Sequence, residues 1–556
     1  MLQFDEERQN ERVSTLRKKE EENLVETLSQ RHGIPYLDLS LHPINTDALR
    51  VIKESDARTA GLAVFNATDK NIDVAVLSPD GDETKKALED LKQRGYNLEI
   101  FMVSHQSLER VWERYKDMSY SFETKSGALD ISNEKIIEIT KKVNSLTDVK
   151  TLIEGVLGMK RAYRISRILE IILAGAISLK ASDVHLEPEE RDLRLRYRLD
   201  GVLTDILHFD TETFELLLSR IKLISELKLN VKDRAQDGRF SIKLGSVEIE
   251  VRTSTLPGPY GESVVLRVLN PDAIAVELKE LGIHPKLLAI FEEEIKKPNG
   301  MILVTGPTGS GKTTTLYAFL KKIYTPDVKV ITIENPIEYH IEGIVQTQTE
   351  AEKGYTFAEG LRSALRQDPD VIMVGEIRDS ETATVAINAA LTGHVVFATL
   401  HTNNAAGSFP RLLDLGVNSK VISSALNISI AQRLVRTLCS SCKKEKILEG
   451  EWKIKVDEIL GAIEDKSYLE GVQREKIWES VGCEKCSGLG FIGRIGVYEA
   501  ILVDDKIEKA VIENPSERDI REAAKEQRLL NLAQDGVLKA LLGITTLEEL
   551  DRVVDL

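Results

Sequence analysis

The sequence has few cysteines, few aromatic residues and no long apolar run, and each shortage excludes a class of protein. Four cysteines among 556 residues do not suit a disulfide-rich secreted scaffold, so a reducing, cytosolic compartment is expected. Aromatic residues make up only 5% of the chain, which argues against a platform for stacking nucleic-acid bases. No apolar run reaches the roughly 18 residues that a membrane-spanning helix needs. The highly charged residues 1–8 are not typical of a secretory signal.

The chain is acidic, with a formal net charge of −16 at pH 7. An acidic protein has no long-range attraction for nucleic acid, so we expect no nucleic-acid partner. The apolar content of 42% and the charged content of 29% are typical of a soluble globular protein. A chain of this length is too long for one hydrophobic core, and it predicts roughly three or four domains.

Residues 306–313 form a complete P-loop, Gly-Pro-Thr-Gly-Ser-Gly-Lys-Thr. An apolar run precedes it and a helix-compatible stretch follows it, which is the strand, loop and helix context that the motif requires. The backbone N–H groups of such a loop cradle phosphates, Lys312 can reach the β- and γ-phosphates, and the Thr313 hydroxyl can ligate Mg²⁺. We therefore predict that ATP and Mg²⁺ bind here, and we expect Lys312 to be a solvated loop charge before ATP arrives. The candidate nucleotide-binding residues are Gly306, Pro307, Thr308, Gly309, Ser310, Gly311, Lys312, Thr313 and Thr314.

Apolar runs of strand length alternate with helix-like stretches from about 283 to 437, which predicts a parallel sheet buried on both faces. Ligands bind at the carboxyl ends of the strands in such a sheet, and acidic residues follow two of the predicted strands. Glu338 lies beyond the run 329–333, and Glu376 follows the run 371–374 in a Walker B-like position. A carboxylate at this edge can hold Mg²⁺ or orient the attacking water.

Two histidines and two arginines are further candidates for contact with the nucleotide. His394 and His401 flank the predicted strand 395–400, where seven-residue spacing puts them on opposite faces and argues against a shared metal site. Arg239 and Arg252 belong to a separate α+β unit. An arginine on a strand is ordinarily a solvated edge residue, but beside a P-loop domain it can stabilise charge on the transferring phosphoryl group.

All four cysteines belong to two Cys-x-x-Cys pairs with forty residues between the pairs. Two such pairs are the signature of a tetrahedral structural zinc site, and the long gap predicts a helical insert between two knuckles. The predicted zinc ligands are Cys439, Cys442, Cys483 and Cys486.

Several segments resemble the motifs of secretion ATPases. Residues 306–313, 333–339, 365–379 and 392–402 are similar to the Walker A, Asp box, Walker B and His box of that family. Segments 181–188, 197–201 and 236–239 resemble its PAS-like N2 domain, and the tetracysteine insert and residues 493–499 match further. Over about 161–556 the chain is therefore similar to the type II secretion and type IV pilus assembly ATPases, in their extension branch.

The resemblance implies a multi-domain α/β fold with a RecA-like P-loop ATPase core, a PAS-like α+β domain, a small N-terminal α/β domain and a Cys₄ zinc insert. The expected boundaries are 1–115 for the N-terminal domain, 116–160 for a linker with a helix, 161–270 for the N2 domain, 271–282 for a flexible linker, 283–437 for the core, 438–488 for the insert and 489–556 for a C-terminal helical region.

The resemblance also assigns roles and partners. It gives Lys312 and Thr313 to phosphate and Mg²⁺, Glu338 to activation of water, Glu376 to the metal, Arg239 and Arg252 to the γ-phosphate, and His394 and His401 to relays of nucleotide state. It implies a homohexamer, peripheral to the membrane through its partners, that drives type IV pilus assembly by pilin extraction at the cytoplasmic face of the inner membrane. Those partners are a platform protein and a cytoplasmic adaptor, and type II secretion is the alternative process.

The sequence departs from the family pattern at two positions. Asn335 stands where the Asp box usually has Asp, which keeps open a weakly hydrolysing, nucleotide-gated scaffold, and Ala235 replaces a usual Pro. A nucleic-acid-translocating ring with the same engine is the other alternative, and the acidic charge argues against it. The chain has no Arg-Leu-Gly motif of the kind that binds cyclic di-GMP in some relatives, so that ligand is not predicted.

Overall fold

The computed structural model describes residues 20–39, 42, 44–45, 48–52, 54–68, 71–116, 133–157, 161–245, 247–269 and 276–556. They form two compact units, which divide at residue 124. Residues 1–19 of the N-terminal domain, 117–132 and the first part (271–275) of the expected 271–282 linker lie outside the described residues.

The first unit is a small α/β domain around a three-stranded sheet. Its β1 and β2 pair antiparallel, and β2 and β3 pair parallel. Helix α4 begins after Ser104, whose hydroxyl accepts the N–H of Ser107 and so caps the helix. The elements are α1 (20–32), α2 (Glu54–Ala60), β1 (Leu62–Thr68), β2 (Asn71–Val76), α3 (Asp82–Gln93), β3 (Asn97–Met102) and α4 (His105–Glu113).

The second unit begins with a six-stranded antiparallel sheet in the order β6-β5-β4-β9-β8-β7. Apolar and polar side chains alternate along β5, so one face of the sheet is buried against helices and the other is polar. The elements are α5 (Asn133–Thr140), α6 (Leu146–Leu157), α7 (Arg161–Ser178), β4 (Asp183–Pro188), β5 (Leu193–Leu199), β6 (Val202–Phe209), α8 (Thr211–Ile224), β7 (Gln236–Leu244), β8 (Val247–Gly258) and β9 (Gly261–Leu269).

The expected linker at 116–160 has two helices rather than one in its described part, and they do not behave as a linker. Ile136 and Ile139 of α5, with Val149 and Ile153 of α6, are buried in the same hydrophobic core as the six-stranded sheet. The segment was expected to be a linker because it has many polar and few apolar residues. Its apolar residues nevertheless fall on one face of each helix, and that face is buried.

A seven-stranded sheet in the order β12-β11-β13-β14-β10-β15-β18 follows. All six residues of central β10 are buried, since helices cover both faces. The elements are α9 (Pro285–Glu294), β10 (Gly300–Thr305), α10 (Lys312–Ile323), β11 (Val330–Glu334), β12 (Val345–Gln348), α11 (Phe357–Leu365), β13 (Val371–Val374), α12 (Ser380–Leu391), β14 (Val395–Leu400), α13 (Ser408–Asp414), α14 (Ser419–Ala425) and β15 (Leu426–Leu438).

The cysteine-containing segment is inserted between two neighbouring strands of this sheet. Strand β15 pairs antiparallel with β18, so residues 491–502 extend the core and are not part of a purely helical tail as expected for 489–556. The remaining elements are β16 (Lys444–Ile447), α15 (Gly450–Gly461), β17 (Lys476–Glu479), β18 (Phe491–Leu502), α16 (Asp505–Glu513), α17 (Glu517–Ala524), α18 (Leu532–Leu541) and α19 (Leu547–Asp551). Among the helices that the structure describes, none is long and apolar enough to cross a membrane.

Candidate functional site

The P-loop joins the carboxyl end of β10 to the first turn of α10. Gly306 has φ 152°, and a Cβ there would lie 2.5 Å from the Ser310 hydroxyl and 2.6 Å from the Gln432 carbonyl oxygen. Gly311, at φ 87°, precedes the helix directly. Only glycine fits a backbone folded this closely, and the start of α10 supplies the backbone N–H groups that a helix N-terminus offers to an anion.

Lys312 is buried inside this loop and is not the solvated charge that the sequence suggested. Its Nζ donates to the carbonyl oxygens of Gly306 at 2.8 Å and Pro307 at 3.0 Å. Burial lowers the pKa of Lys312 to about 8, although the charge of Glu376 opposes that shift. The buried Ser310 hydroxyl has no hydrogen-bond partner among the described residues. The Lys312 ammonium and the Ser310 hydroxyl can both donate hydrogen bonds to bound phosphates. The loop therefore fits a nucleotide.

Glu376 and His401 lie beside the P-loop at the same edge of the sheet. Glu376 follows β13, is nearly buried, and forms an ion pair with Arg378, whose Nε lies 2.6 Å from the carboxylate. His401 Nε2 lies 3.5 Å from the Glu376 carboxylate, and burial lowers the His401 pKa, with Lys312 adding to the effect. The Glu376 carboxylate and the Thr313 hydroxyl, on the first turn of α10, are oxygen ligands of the kind that Mg²⁺ binds next to phosphates.

Glu338 lies in the loop after β11 and is contacted from the six-stranded sheet. Arg252 on β8 donates through Nη2 to the Ile337 carbonyl oxygen at 2.9 Å, and its Nη1 lies 3.8 Å from Glu338 Oε2. Its Nε also contacts Glu250 at 3.0 Å. Burial raises the pKa of the Glu338 carboxyl, while Arg252 opposes the rise. A carboxylate with a raised pKa is a better proton acceptor than an ordinary glutamate.

Two other predicted site residues, His394 and Arg239, have no hydrogen bond or ion pair to the P-loop or to the loop that holds Glu338 within the described part of the chain. His394 lies at the amino end of β14, where its Nδ1 is 3.0 Å from the Ala389 carbonyl oxygen. Because β10 and β14 are parallel and in register, the length of a six-residue strand, roughly 20 Å, separates His394 from the P-loop of its own chain. Arg239 is exposed on β7, directly opposite Arg252 in the sheet register.

Gln432 and Arg433, next to the P-loop, were not predicted from the sequence. The Gln432 side chain accepts from Thr315 at 2.8 Å, and Arg433 donates to the Asn403 carbonyl oxygen at 2.8 Å. Both lie in the middle of the largely buried strand β15. A buried glutamine followed by arginine in such a strand is the signal that could have indicated a polar role.

The four cysteines converge on one point. All four sulfurs lie within 4.8 Å of one another, with Sγ separations of 3.9 Å for Cys439–Cys483, 3.8 Å for Cys442–Cys486 and 3.7 Å for Cys483–Cys486. Tetrahedral zinc with Zn–S bonds of about 2.3 Å requires sulfurs about 3.8 Å apart. The Cys486 sulfur also accepts the N–H groups of Cys483 and Gly490, both at 3.1 Å. The donor set and its spacing fit zinc.

We expect one zinc per chain and its loss on replacing Cys483 with Ser. Elemental analysis of freshly purified protein measures the metal, and hydrogen exchange measures the order of the two knuckles. Structural zinc contributes on the order of 10–16 kcal/mol of apparent binding energy in peptides, so the knuckles should lose protection with it. Ser440→Ala, at an exposed position between the zinc ligands Cys439 and Cys442 of the other knuckle, is the control that should keep the metal. Parental protein without zinc would refute the assignment.

Comparison with known proteins identifies the parts of the chain. Residues 159–552 match the family model described as "Type II/IV secretion system protein", and residues 32–121 match the MshEN domain. The "Type II secretion system protein E" of Dickeya dadantii is 39% identical over 93% of this chain and 99% of its own length. The "Type IV pilus assembly ATPase PilB" of Myxococcus xanthus is 36% identical over 95% of this chain and 90% of its own.

A solved structure supports the fold. The Yersinia pseudotuberculosis ATPase DotB has a TM-score of 0.50 and 19% identity, and the match covers 71% of this chain and 94% of that one. The α/β, RecA-like fold expected from the sequence is therefore confirmed. With a complete P-loop and a family match over most of its length, the chain belongs to the type II/IV secretion system proteins and is an ATP-hydrolysing secretion ATPase.

Proposed function

We propose that this chain is a homohexameric motor that hydrolyses ATP to extract and polymerise pilin in type IV pilus assembly. The observation that carries the proposal is the contact between two domains at the site: Arg252 of the six-stranded sheet binds the loop that holds Glu338 of the ATPase core. A site built from two domains changes when they move apart, and so it can couple ATP hydrolysis to motion.

Each residue has a step in the proposed cycle. The P-loop N–H groups and Lys312 hold the phosphates. Thr313 and Glu376 would hold Mg²⁺, which would stabilise negative charge on the phosphates. Glu338 accepts the proton of the attacking water, and Arg252 and Arg239 stabilise charge on the transferring phosphoryl group. His401, whose Nε2 lies 3.5 Å from the Glu376 carboxylate, relays the nucleotide state. His394 lies at the opposite end of β14 and has no role at the nucleotide of its own chain.

Replacing Arg252 with Ala should reduce turnover about 100-fold, with a smaller loss of ADP affinity, because ADP has no γ-phosphate. Arg239→Ala should act in the same direction. Steady-state ATPase assays and ADP titrations of the full chain measure both effects. Arg194→Ala is the control, since Arg194 lies on the same sheet but pairs with Asp205. If both Arg252→Ala and Arg239→Ala keep the parental turnover, neither arginine takes part in hydrolysis.

The ring is tested by mixing variants. An Arg252→Ala chain keeps its P-loop, and a Lys312→Ala chain keeps its arginines. Partial recovery of turnover in the mixture would mean that an arginine serves the nucleotide of a neighbouring chain, as a ring requires. No recovery, together with a monomeric mass in the presence of ATP analogue and Mg²⁺, would contradict the hexamer.

We further propose that the motor works at the cytoplasmic face of the inner membrane through a platform protein and a cytoplasmic adaptor. Type II secretion is the second candidate process, favoured by the match to the Dickeya dadantii protein over 99% of that protein's length. Deleting the gene and counting surface pili and secreted enzymes separates the two. Loss of pili with normal secretion supports pilus assembly, and the reverse supports type II secretion.

A further inference from the structure

The six-stranded sheet carries a row of arginines on its polar face. In the cross-strand register, Arg239 of β7 is opposite Arg252 of β8, and Arg252 is opposite Arg267 of β9. Directly opposed residues have Cβ atoms about 4.5–5.5 Å apart, and like charges in these positions destabilise a sheet. Three adjacent arginines therefore cost stability unless negative charge lies beside the row.

Asp183 of β4 continues the row and holds the third arginine. It is opposite Arg267 on one side and Arg198 on the other. Its buried carboxylate accepts from Arg267 Nε at 3.0 Å and lies 3.3 Å from Arg198 Nε. The Ser182 hydroxyl donates to it at 2.9 Å. The contact with Arg267 uses Nε and does not occupy its two Nη groups, and 61% of that side chain is exposed.

Arg267 is the register neighbour of Arg252, and Nη1 of Arg252 lies 3.8 Å from Glu338 Oε2. Burial is the largest cause of the raised pKa of Glu338; among four charged groups, Arg252 and Arg267 lower that pKa, whereas Glu334 and Glu250 raise it. Arg252 also contacts Glu250 and the Ile337 carbonyl oxygen. When Arg252 turns toward a γ-phosphate, Arg267 is the remaining cation of the four.

We propose that Arg267 is a third functional arginine of the ATPase site and that Asp183 is its positioning residue. Anchored through Nε, Arg267 stays beside Glu338 while Arg252 engages the phosphate, and it keeps the carboxylate ionised so that it can accept the proton of the attacking water. This arrangement explains why the acid Asp183 follows the three arginines in the row. Asp183 holds Arg267 in place while Arg239 and Arg252 move. This inference rests on the proposed role of Glu338 as the base.

The test is the pH dependence of kcat for the full chain. Removing a cation raises the pKa of Glu338, so the acid limb of the Arg267→Gln profile should move to higher pH by about 1 unit. Turnover on that limb should fall roughly tenfold, with a smaller change in KM for ATP. Arg267→Lys keeps the positive charge, so the acid limb of its pH profile should lie at the parental position. Asp183→Asn should shift it in the same direction as Arg267→Gln.

The control is Arg194→Gln, the same substitution at an ion-paired arginine on the same sheet, which should leave the profile unchanged. Because Arg267 is largely exposed, its variants carry the test even if Asp183→Asn does not fold. An unmoved acid limb in Arg267→Gln overturns the inference when Glu338→Gln is inactive. If Glu338→Gln keeps its turnover, the failure lies instead in the proposed function.

Discussion

Glu338→Gln is expected to reduce ATP turnover by about 10²–10⁴-fold while ATP still binds. The amide keeps the size of the side chain but cannot accept the proton of the attacking water. The structure strengthens the assignment, since burial raises the pKa of this carboxyl and Arg252 lies 3.8 Å away to keep part of it ionised. Single-turnover hydrolysis and binding of a non-hydrolysable ATP analogue separate the two effects.

Two further variants sharpen this result. Glu342→Gln makes the same change at an exposed position four residues along the same loop and should leave turnover at the parental rate. Glu376→Gln should instead weaken the dependence on Mg²⁺, because Glu376 lies beside Lys312 rather than in the loop after β11. If Glu338→Gln alters only affinity, the role of base passes to Glu376.

Local patterns predicted the centre of the fold well. The runs 371–374 and 395–400 coincide with β13 and β14, and the P-loop joins a buried strand to a helix as its motif requires. These features follow from apolar runs of strand length and from glycine spacing, which act within a few residues. The insertion of the cysteine segment between β15 and β18 was missed, because the pairing of strands so far apart leaves no local pattern.

The site itself depends on contacts between distant residues. Arg252 reaches Ile337 across 85 positions, and Arg267 reaches Asp183 across 84. Only the register of a folded sheet places them, so the sequence could name Arg252 by resemblance but could not show that Asp183 binds Arg267. Burial also separates acids that look alike: Glu334 is the last residue of β11 and is bonded to Tyr317 and Gln346, whereas Glu338 lies free of the strand.

Lys312→Ala is expected to lower ATP affinity at least ~100-fold and to reduce turnover to background, since hydrogen bonds to charged groups contribute about 1.5–3 kcal/mol each. In the nucleotide-free protein, Lys312 donates to two P-loop carbonyl oxygens. ATP must therefore compete for the ammonium, and its phosphates succeed because they carry full charges. Lys322→Ala, on the same helix but paired with Glu292 at the surface, is the control and should bind ATP normally.

The lowered pKa of Lys312 gives this contact a pH dependence whose sign follows from linkage. Burial brings the pKa to about 8 in the free protein, and bound phosphates favour the charged form and raise it. Binding therefore takes up a proton above about pH 8, and ATP affinity should fall as pH rises through that range. Calorimetry in two buffers of different ionisation enthalpy measures the uptake at pH 8.5 (roughly half a unit above the free pKa), and Lys322→Ala should show the same uptake. Binding without proton exchange would mean that Lys312 is already fully charged at pH 8.5 before ATP arrives, and the lowered pKa would be refuted.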